Sequence, residues 1–301
     1  MYALINGTRI FFDVEGMGWV PDGPTLRKKP TCFVLHGGPG GDHTGYKPGL
    51  SPLSEIMQLV YIDNRGSGRS ALGPSESYSL ENNVEDIEAL REYLGLEKIV
   101  LHGHSYGGMV AQAYALRYPQ NVAGLLLLTT SPSHEFIEKA KRIVEEKGTP
   151  EMKAIAKVLW EGAFSSKEEL TLFYELMAPL YSTTHNPTPT EAERQIAQDA
   201  RARANRSYQA LNEGFGGFLR TFDLREQLPS IQAPTLVMGA RHDWITPVED
   251  SEEIAGLIPQ SELVIFEQSS HSVVKDEYAH YISIVKDFVL RRIHETAEQP
   301  V

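Results

Sequence analysis

The chain has 301 residues, of which 41% are hydrophobic and 23% charged, a composition typical of a globular protein with a large core. The net charge of −12 disfavours nucleic acid and anionic membrane surfaces as partners, because both attract basic patches. The single cysteine, Cys32, excludes an internal disulfide, and its apolar neighbours predict a buried strand thiol. We expect a cytoplasmic protein, since the N-terminus lacks a signal-peptide pattern and no apolar run reaches the ~20 residues that span a bilayer.

Strands and helices alternate along most of the chain. The first two strands are predicted to form a hairpin around Asn6-Gly7, and residues 18–30 an exposed loop. The later strands are mostly continuous apolar runs, which are typical of buried parallel strands: Cys32–Leu35, Leu59–Ile62, Ile99–His102, Leu125–Leu128, Thr235–Met238 and Leu263–Phe266. Helical spacing predicts helices at Ser79–Leu94, 106–118 and Asp276–Arg292. This order predicts an α/β fold, a mostly parallel sheet with helices on both faces.

The alternation stops between about residues 132 and 222, where no good strand candidate occurs. Helical patterns fill this segment at roughly 133–147, 151–162, 167–180 and 190–211. We therefore predict a core domain from residues 1–131 and 223–301, with a helical cap from residues 132–222. Such an insertion covers the carboxyl ends of the strands, where α/β sheets bind ligands.

Ser105 is the first candidate for chemistry. It lies in Gly103-His104-Ser105-Tyr106-Gly107, between a predicted strand and a predicted helix. That setting gives the Gly-x-Ser-x-Gly pattern its meaning, because the glycines make room for a strained serine and the helix N-terminus points at its oxygen. The alternative is a glycine-rich turn without chemistry. We expect Ser105 to be a nucleophile.

A serine nucleophile needs a base, and the base needs an acid that orients it. Of the ten histidines, His271 lies in the loop after the last strand, whereas His104 is expected to point away from Ser105 and His102 to be packed. Asp243 follows the strand Thr235–Met238, and the loop after Leu125–Leu128 offers no competing carboxylate. The order Ser105, Asp243, His271 is also that of the α/β architecture.

The glycine loop after the third strand, His36-Gly37-Gly38-Pro39-Gly40-Gly41, predicts an oxyanion hole. Its backbone N–H groups can approach a developing negative charge, and we expect Gly38 N–H and Tyr106 N–H to form the pair. A phosphate-binding loop is the alternative, but no Gly-Lys-Ser/Thr follows. The segment Asp63–Ser70 is interpreted as a structural turn. Nothing in the sequence calls for a cofactor or a metal ion.

Together these segments resemble the α/β-hydrolase fold and, within it, the proline iminopeptidase family, which includes the tricorn-interacting aminopeptidases. The resemblance covers nearly the whole chain, and the Pro39 version of the glycine loop is its most specific part. It implies a serine hydrolase that cleaves the bond after an N-terminal residue of a small molecule or short peptide, through an acyl-enzyme. It also implies acidic groups that hold the substrate's free amine.

One such acid matches Glu213, whereas Trp244 stands where a second is found, and Tyr106 stands where many proline-specific members have Trp. Trp244 can instead shape an apolar substrate pocket. An esterase, lactonase or amino-acid amidase with the same triad is therefore the alternative function. Epoxide and haloalkane hydrolysis need an aspartate nucleophile, and a non-enzymatic small-molecule receptor needs no triad. The sequence does not indicate the oligomeric state.

Overall fold

The computed structural model describes residues 1–294, apart from the side chains of residues 197, 201, 202 and 294. Its strands are β1 (Tyr2–Ile5), β2 (Thr8–Glu15), β3 (Trp19–Asp22), β4 (Thr25–Lys28), β5 (Thr31–Leu35), β6 (Gln58–Asp63), β7 (Ile99–His104), β8 (Val122–Leu128), β9 (Thr235–Ala240) and β10 (Ser261–Phe266). Its α-helices are α1 (Leu80–Tyr93), α2 (Tyr106–Arg117), α3 (Phe136–Lys147), α4 (Pro150–Glu161), α5 (Lys167–Tyr181), α6 (Glu191–Arg203), α7 (Tyr208–Gly216), α8 (Val248–Leu257), α9 (Val273–Asp276) and α10 (Tyr278–Val289).

Eight strands form one sheet in the order β1-β2-β6-β5-β7-β8-β9-β10. The pairs β1–β2 and β2–β6 are antiparallel, and every later pair is parallel. The apolar runs of β5 and β8 are almost entirely buried, as expected of strands covered on both faces. The predicted α/β architecture is confirmed, and the carboxyl ends of β5, β7, β9 and β10 come to one edge of the sheet.

Two predicted segments differ in the structure. Residues 18–30 are not an irregular loop: β3 and β4 pair as a separate two-stranded hairpin around Gly23-Pro24. Gly23 takes a positive φ of 58°, and this tight turn allows short strands that carry exposed side chains and no core pattern. The single helix predicted over 190–211 is two helices, α6 and α7. The last predicted helix is likewise divided, into α9, α10 and a final π-helical turn at Leu290–His294.

The break between α6 and α7 has a tertiary cause. The connecting strap, residues 204–207, is hydrogen-bonded to the glycine loop of the core: Ser207 N–H donates to the Gly40 carbonyl at 2.8 Å, and Asn205 N–H donates to the Asp42 carboxylate. Ser207 then caps α7, where its hydroxyl accepts from Ala210 N–H at 3.2 Å. Helical periodicity alone does not report such contacts.

The helices α3 to α7 all come from the segment between β8 and β9, and α3, α4, α5 and α7 contribute buried side chains to the core, whereas the described side chains of α6 are exposed. One hydrophobic cluster joins buried side chains of the sheet and its flanking helices to buried side chains of these helices, among them Phe136, Leu159, Phe173 and Phe215. The division into core and cap at residues 132 and 222 stays a prediction. No helix in the described part of the chain is long and apolar enough to cross a membrane.

Beneath the sheet edge, His102 is buried as the sequence predicts, and Tyr281 Oη lies 2.5 Å from its Nε2. Burial lowers the pKa of His102 from 6.5 to about 4. His102 is therefore protonated below about pH 6.5 in the unfolded chain, but only below about pH 4 in the folded chain. The stability that neutral His102 provides is present above pH 6.5 and is lost as the pH falls through this window.

The free energy of unfolding of the parent is expected to fall between pH 7 and pH 4.5. In His102→Gln we expect this fall to be smaller by about 2–3 kcal/mol, since a glutamine cannot take up a proton. Urea unfolding of both proteins at the two pH values measures the difference. An equal loss in both proteins would contradict the role assigned to His102.

Candidate active site

Ser105 lies between β7 and α2 in a backbone conformation that side-chain-bearing residues rarely adopt, with φ 56° and ψ −123°. Two hydrogen bonds hold it there: Ser105 N–H donates to the Leu128 carbonyl at 3.0 Å, and Thr130 Oγ1 donates to the Ser105 carbonyl at 2.7 Å. Such strain persists only where surrounding contacts determine it, and it is typical of reactive residues.

The two flanking glycines are required by the close approach of neighbouring backbone. A Cβ at Gly103 would lie 2.4 Å from the Gly107 carbonyl oxygen, and a Cβ at Gly107 would lie 2.2 Å from the Leu35 carbonyl oxygen. The Gly-x-Ser-x-Gly spacing therefore has a steric explanation in this chain. It lets α2 begin directly against β5 and β7, with the serine at the turn.

His271 and Asp243 are hydrogen-bonded to each other, with His271 Nδ1 2.7 Å from Asp243 Oδ2. Both side chains are buried, and they come from the loops after β10 and β9. Asp243 Oδ1 accepts from Ile245 N–H at 2.9 Å, and Oδ2 accepts from the Thr246 hydroxyl at 3.0 Å. With Nδ1 donating to the carboxylate, Nε2 is the ring nitrogen left to accept a proton.

Ser105 and His271 both line a cavity of about 940 Å³ at the carboxyl edge of the sheet. The loop of His271 is hydrogen-bonded to the C-terminal end of α5. Ser272 N–H donates to the Tyr181 carbonyl at 2.9 Å, and Ser270 Oγ donates to the Leu180 carbonyl at 2.5 Å. The position of His271 therefore depends on the helical segment as well as on the sheet.

His104 was expected to point away from the site, and this prediction is wrong: its ring lines the cavity. Its Nδ1 lies 2.8 Å from Tyr46 Oη, and its Nε2 lies 3.2 Å from the His271 carbonyl oxygen. Burial, with the nearby His271, holds the pKa of His104 well below its ordinary value, so that the ring stays neutral. β7 extends two residues beyond the strand predicted from the sequence, so that His104 is its last residue and pairs with Leu128.

Tyr46 is a site residue that the sequence reasoning missed. Its hydroxyl accepts from Gly37 N–H at 2.9 Å, so that it joins the glycine loop to His104. No motif marks it. Only its position shortly after the glycine loop indicated that it lies near the site.

The glycine loop forms part of the cavity wall, with Gly37, Gly38 and Gly41 in the lining. Gly41 N–H donates to the Gly37 carbonyl at 3.2 Å, which closes a tight turn, and Gly38 takes a φ of 119° that favours glycine. On the other side of Ser105, Tyr106 is the first residue of α2, where a backbone N–H has no acceptor within its own helix. Gly38 N–H and Tyr106 N–H stay the predicted pair of donors beside Ser105.

Asp63 supports the interpretation of the segment Asp63–Ser70 as a structural turn. Its carboxylate accepts from Arg69 N–H at 2.8 Å and from His43, whose Nδ1 lies 2.8 Å away. Those contacts, and the hydrogen bond that Asn64 N–H donates to His36 Nε2 at 3.0 Å, hold the turn against the glycine loop. The turn thus positions the loop without supplying a reacting group.

Glu213 and Trp244, the two residues predicted to bind substrate, are not brought into the cavity lining. Leu211 and Phe215 of α7 line the cavity, and Glu213 lies between them at a spacing that turns its side chain to another face of the helix. The sequence match gave the position of Glu213 along the chain and not its direction.

Trp244 is buried behind the cavity wall, with 1% of its surface exposed. Its ring packs edge-on against Tyr181, with centroids 5.2 Å apart, and Tyr181 lines the cavity. Tyr181 in turn lies edge-on to His271, at 5.7 Å. Trp244 therefore contacts a residue of the cavity wall, Tyr181, and does not line the cavity itself. It stands at the position where the resemblance implies a second acid.

Comparisons with known proteins identify the family of the chain. Residues 30–278 match the family described as the alpha/beta hydrolase fold. The proline iminopeptidase PfmaB of Pestalotiopsis fici is 31% identical over 99% of this chain and 99% of its own length. The proline iminopeptidase of Saccharolobus solfataricus is 34% identical over 85% of this chain and 83% of its own length.

Solved structures show the same fold. A proline iminopeptidase from Mycobacterium smegmatis superposes with a TM-score of 0.75 at 20% identity, covering 98% of this chain and 99% of that one. An esterase from Exiguobacterium antarcticum superposes with a TM-score of 0.71 at 22% identity, covering 96% of this chain and 98% of that one. Both activities thus occur on this architecture.

Proposed function

Since the chain belongs to the α/β-hydrolase fold family and, within it, to the family of the proline iminopeptidases, we propose that it is a serine aminopeptidase that removes an N-terminal residue, often proline, from short peptides. The observation that carries the proposal is that Ser105 and His271 line one cavity while Asp243 is hydrogen-bonded to His271, together with two relatives above 30% identity over most of their length.

The geometry supports the following mechanism. His271 Nε2 takes the hydroxyl proton of Ser105 as the oxygen attacks the scissile carbonyl, and the Asp243 carboxylate stabilises the imidazolium. The negative charge on the carbonyl oxygen is held by the N–H groups of Gly38 and Tyr106. His271 then gives its proton to the leaving amine. Water, activated by the same histidine, releases the N-terminal residue from Ser105.

Recognition of the free amine requires an acidic group. Glu213 is the candidate that the resemblance implies, whereas Asp42 is the candidate that the cavity supports, because it is buried in the lining. The other lining carboxylate, Glu15, is already engaged by Tyr61 Oη at 3.0 Å and lies 3.8 Å from Lys47 Nζ. Asp42 also accepts hydrogen bonds, from Thr44 and from Asn205 N–H, but unlike Glu15 it has no cation within ion-pair distance among the described residues.

We expect Asp42→Asn to lower kcat/KM for free-amine anilides about 10- to 150-fold, the value of one charge-assisted hydrogen bond, and to leave aryl esters nearly unchanged. The amide oxygen can keep the Asn205 N–H contact, while the amide nitrogen then faces Thr44, whose hydroxyl can accept instead of donating. Glu213→Gln removes the same charge from α7, away from the lining, and is expected to change either substrate less than threefold. The reverse pattern would return the amine contact to Glu213.

An esterase, lactonase or amino-acid amidase with the same triad is the second candidate, and the absence of Glu213 from the cavity lining favours it. A panel of prolyl anilide, its N-acetyl derivative, aryl esters and lactones separates the two functions. An aminopeptidase cleaves the free-amine anilide and discriminates strongly against the blocked one. Equal rates on the two anilides, with fast ester or lactone cleavage, would overturn the aminopeptidase proposal.

A further inference from the structure

Arg206 presents a cation to the active-site cavity without a carboxylate to neutralise it. It is half-buried in the strap 204–207, and its guanidinium carbon lies 4.3 Å from the centre of the Tyr174 ring. Both residues line the cavity. Within residues 1–294, no carboxylate pairs with this guanidinium. Stacking on an aromatic face leaves the N–H edge of an arginine free to bind an anion in two-pronged fashion.

The other charged groups of the lining are engaged or exposed. Lys47 donates to Asp13 at 2.7 Å, and the Asp42 carboxylate accepts from Thr44 and from the Asn205 N–H. Arg203 and Lys275 reach the wall but are exposed to solvent. In a chain with a net charge of −12, a half-buried cation of this kind is a local exception.

Arg206 lies near the two aromatic rings that flank the reacting groups. Tyr46, Tyr181 and Arg206 line the same cavity, and Tyr181 packs against Tyr174, the ring on which Arg206 is stacked, with centroids 5.8 Å apart. Tyr46 Oη accepts from Gly37 N–H of the glycine loop, and the Tyr181 ring lies edge-on to His271. An anion bound to Arg206 would therefore lie in the same cavity as Ser105 and His271.

We propose that Arg206 binds the free C-terminal carboxylate of a dipeptide or tripeptide substrate. This inference rests on the proposed aminopeptidase function, because the carboxylate belongs to the leaving amino acid or to the residue after it. Asp42 would face the ammonium end of the same molecule, and Arg206 its carboxylate end. The cavity would then select short peptides over long ones, since only a short peptide carries both charges within it.

The test compares the dipeptide prolyl-glycine with its C-terminal amide. The parent enzyme is expected to prefer the acid, and Arg206→Gln is expected to reduce that preference about 10- to 150-fold, mainly through a higher KM. Arg203→Gln removes the same charge from the exposed rim three residues away and is expected to retain the preference. Arg206→Lys keeps the charge without the planar edge and should retain part of it.

Three results would overturn the proposal. Equal cleavage of acid and amide by the parent, with free-amine anilides still cleaved, would reject the carboxylate site and leave the aminopeptidase function standing. An equal loss on acid and amide in Arg206→Gln would show a structural role. If no peptide or anilide is cleaved, the aminopeptidase function itself fails. In that case two esters would be compared: a monoaryl succinate, which carries a carboxylate on its acyl group, and an aryl butyrate, which does not. If Arg206→Gln slowed only hydrolysis of the succinate, Arg206 would bind a carboxylate of the acyl group instead.

Discussion

Replacement of Ser105 by Ala is expected to lower kcat by roughly 10⁴- to 10⁶-fold on every substrate that the enzyme cleaves, because no acyl-enzyme can form. Alanine keeps the Cβ that the turn already accommodates, so the strained backbone and its hydrogen bonds to Leu128 and Thr130 remain. Steady-state hydrolysis and thermal unfolding of the same preparation separate lost chemistry from lost folding.

His271→Ala and the double variant with Ser105→Ala extend this test. When two residues act as one unit, removing either one already abolishes the contribution of the other to kcat. The double variant should therefore be little slower than the worse single variant. Additive losses in kcat would indicate that Ser105 and His271 act independently. Substantial activity in Ser105→Ala, free of parent enzyme, would reject the acyl-enzyme mechanism.

Asp243→Asn is expected to lower kcat by about 10³- to 10⁴-fold with little change in stability. The amide nitrogen would present a donor to His271 Nδ1, now 2.7 Å from Asp243 Oδ2, which favours the tautomer that carries its proton on Nε2. That tautomer cannot accept the serine proton. The measurement is kcat near neutral pH, with folding checked by circular dichroism.

Thr246→Val is the matched control for Asp243→Asn. It removes one donor to Asp243 Oδ2, at 3.0 Å, while the carboxylate and the N–H contacts of residues 245 and 246 stay in place. We expect a loss below about tenfold. If Asp243→Asn is no slower than Thr246→Val, the carboxylate only positions the loop and does not set the tautomer of His271.

The sequence was sufficient to predict the sheet and the order of the site residues. Buried parallel strands are continuous apolar runs, which can be recognised locally in the sequence. The spacing of Gly103, Ser105 and Gly107 is also a local pattern, because close backbone contacts require glycine at both flanking positions. The acid and the base could be predicted by their place after strands, because parallel strands bring those loops to one edge.

What the sequence did not predict depends on contacts between distant segments. The strap between α6 and α7 is set by hydrogen bonds to Gly40 and Asp42, which helical periodicity does not contain. The direction of Glu213 depends on how α7 rotates against the cavity, and the place of the His104 ring depends on its contacts with Tyr46 and the His271 carbonyl. Arg206 acquires its significance only from the ring beneath it and from the lack of a carboxylate within ion-pair distance among the described residues.

Labelling with a fluorophosphonate, followed by mass analysis of the modified peptide, tests most directly whether Ser105 is the activated nucleophile. We predict one equivalent of label on Ser105 in the parent enzyme, none in Ser105→Ala, and greatly slowed labelling in His271→Ala and Asp243→Asn. Label on another residue, or a parent enzyme that hydrolyses substrate while Ser105 stays unmodified under excess reagent, would contradict the serine mechanism.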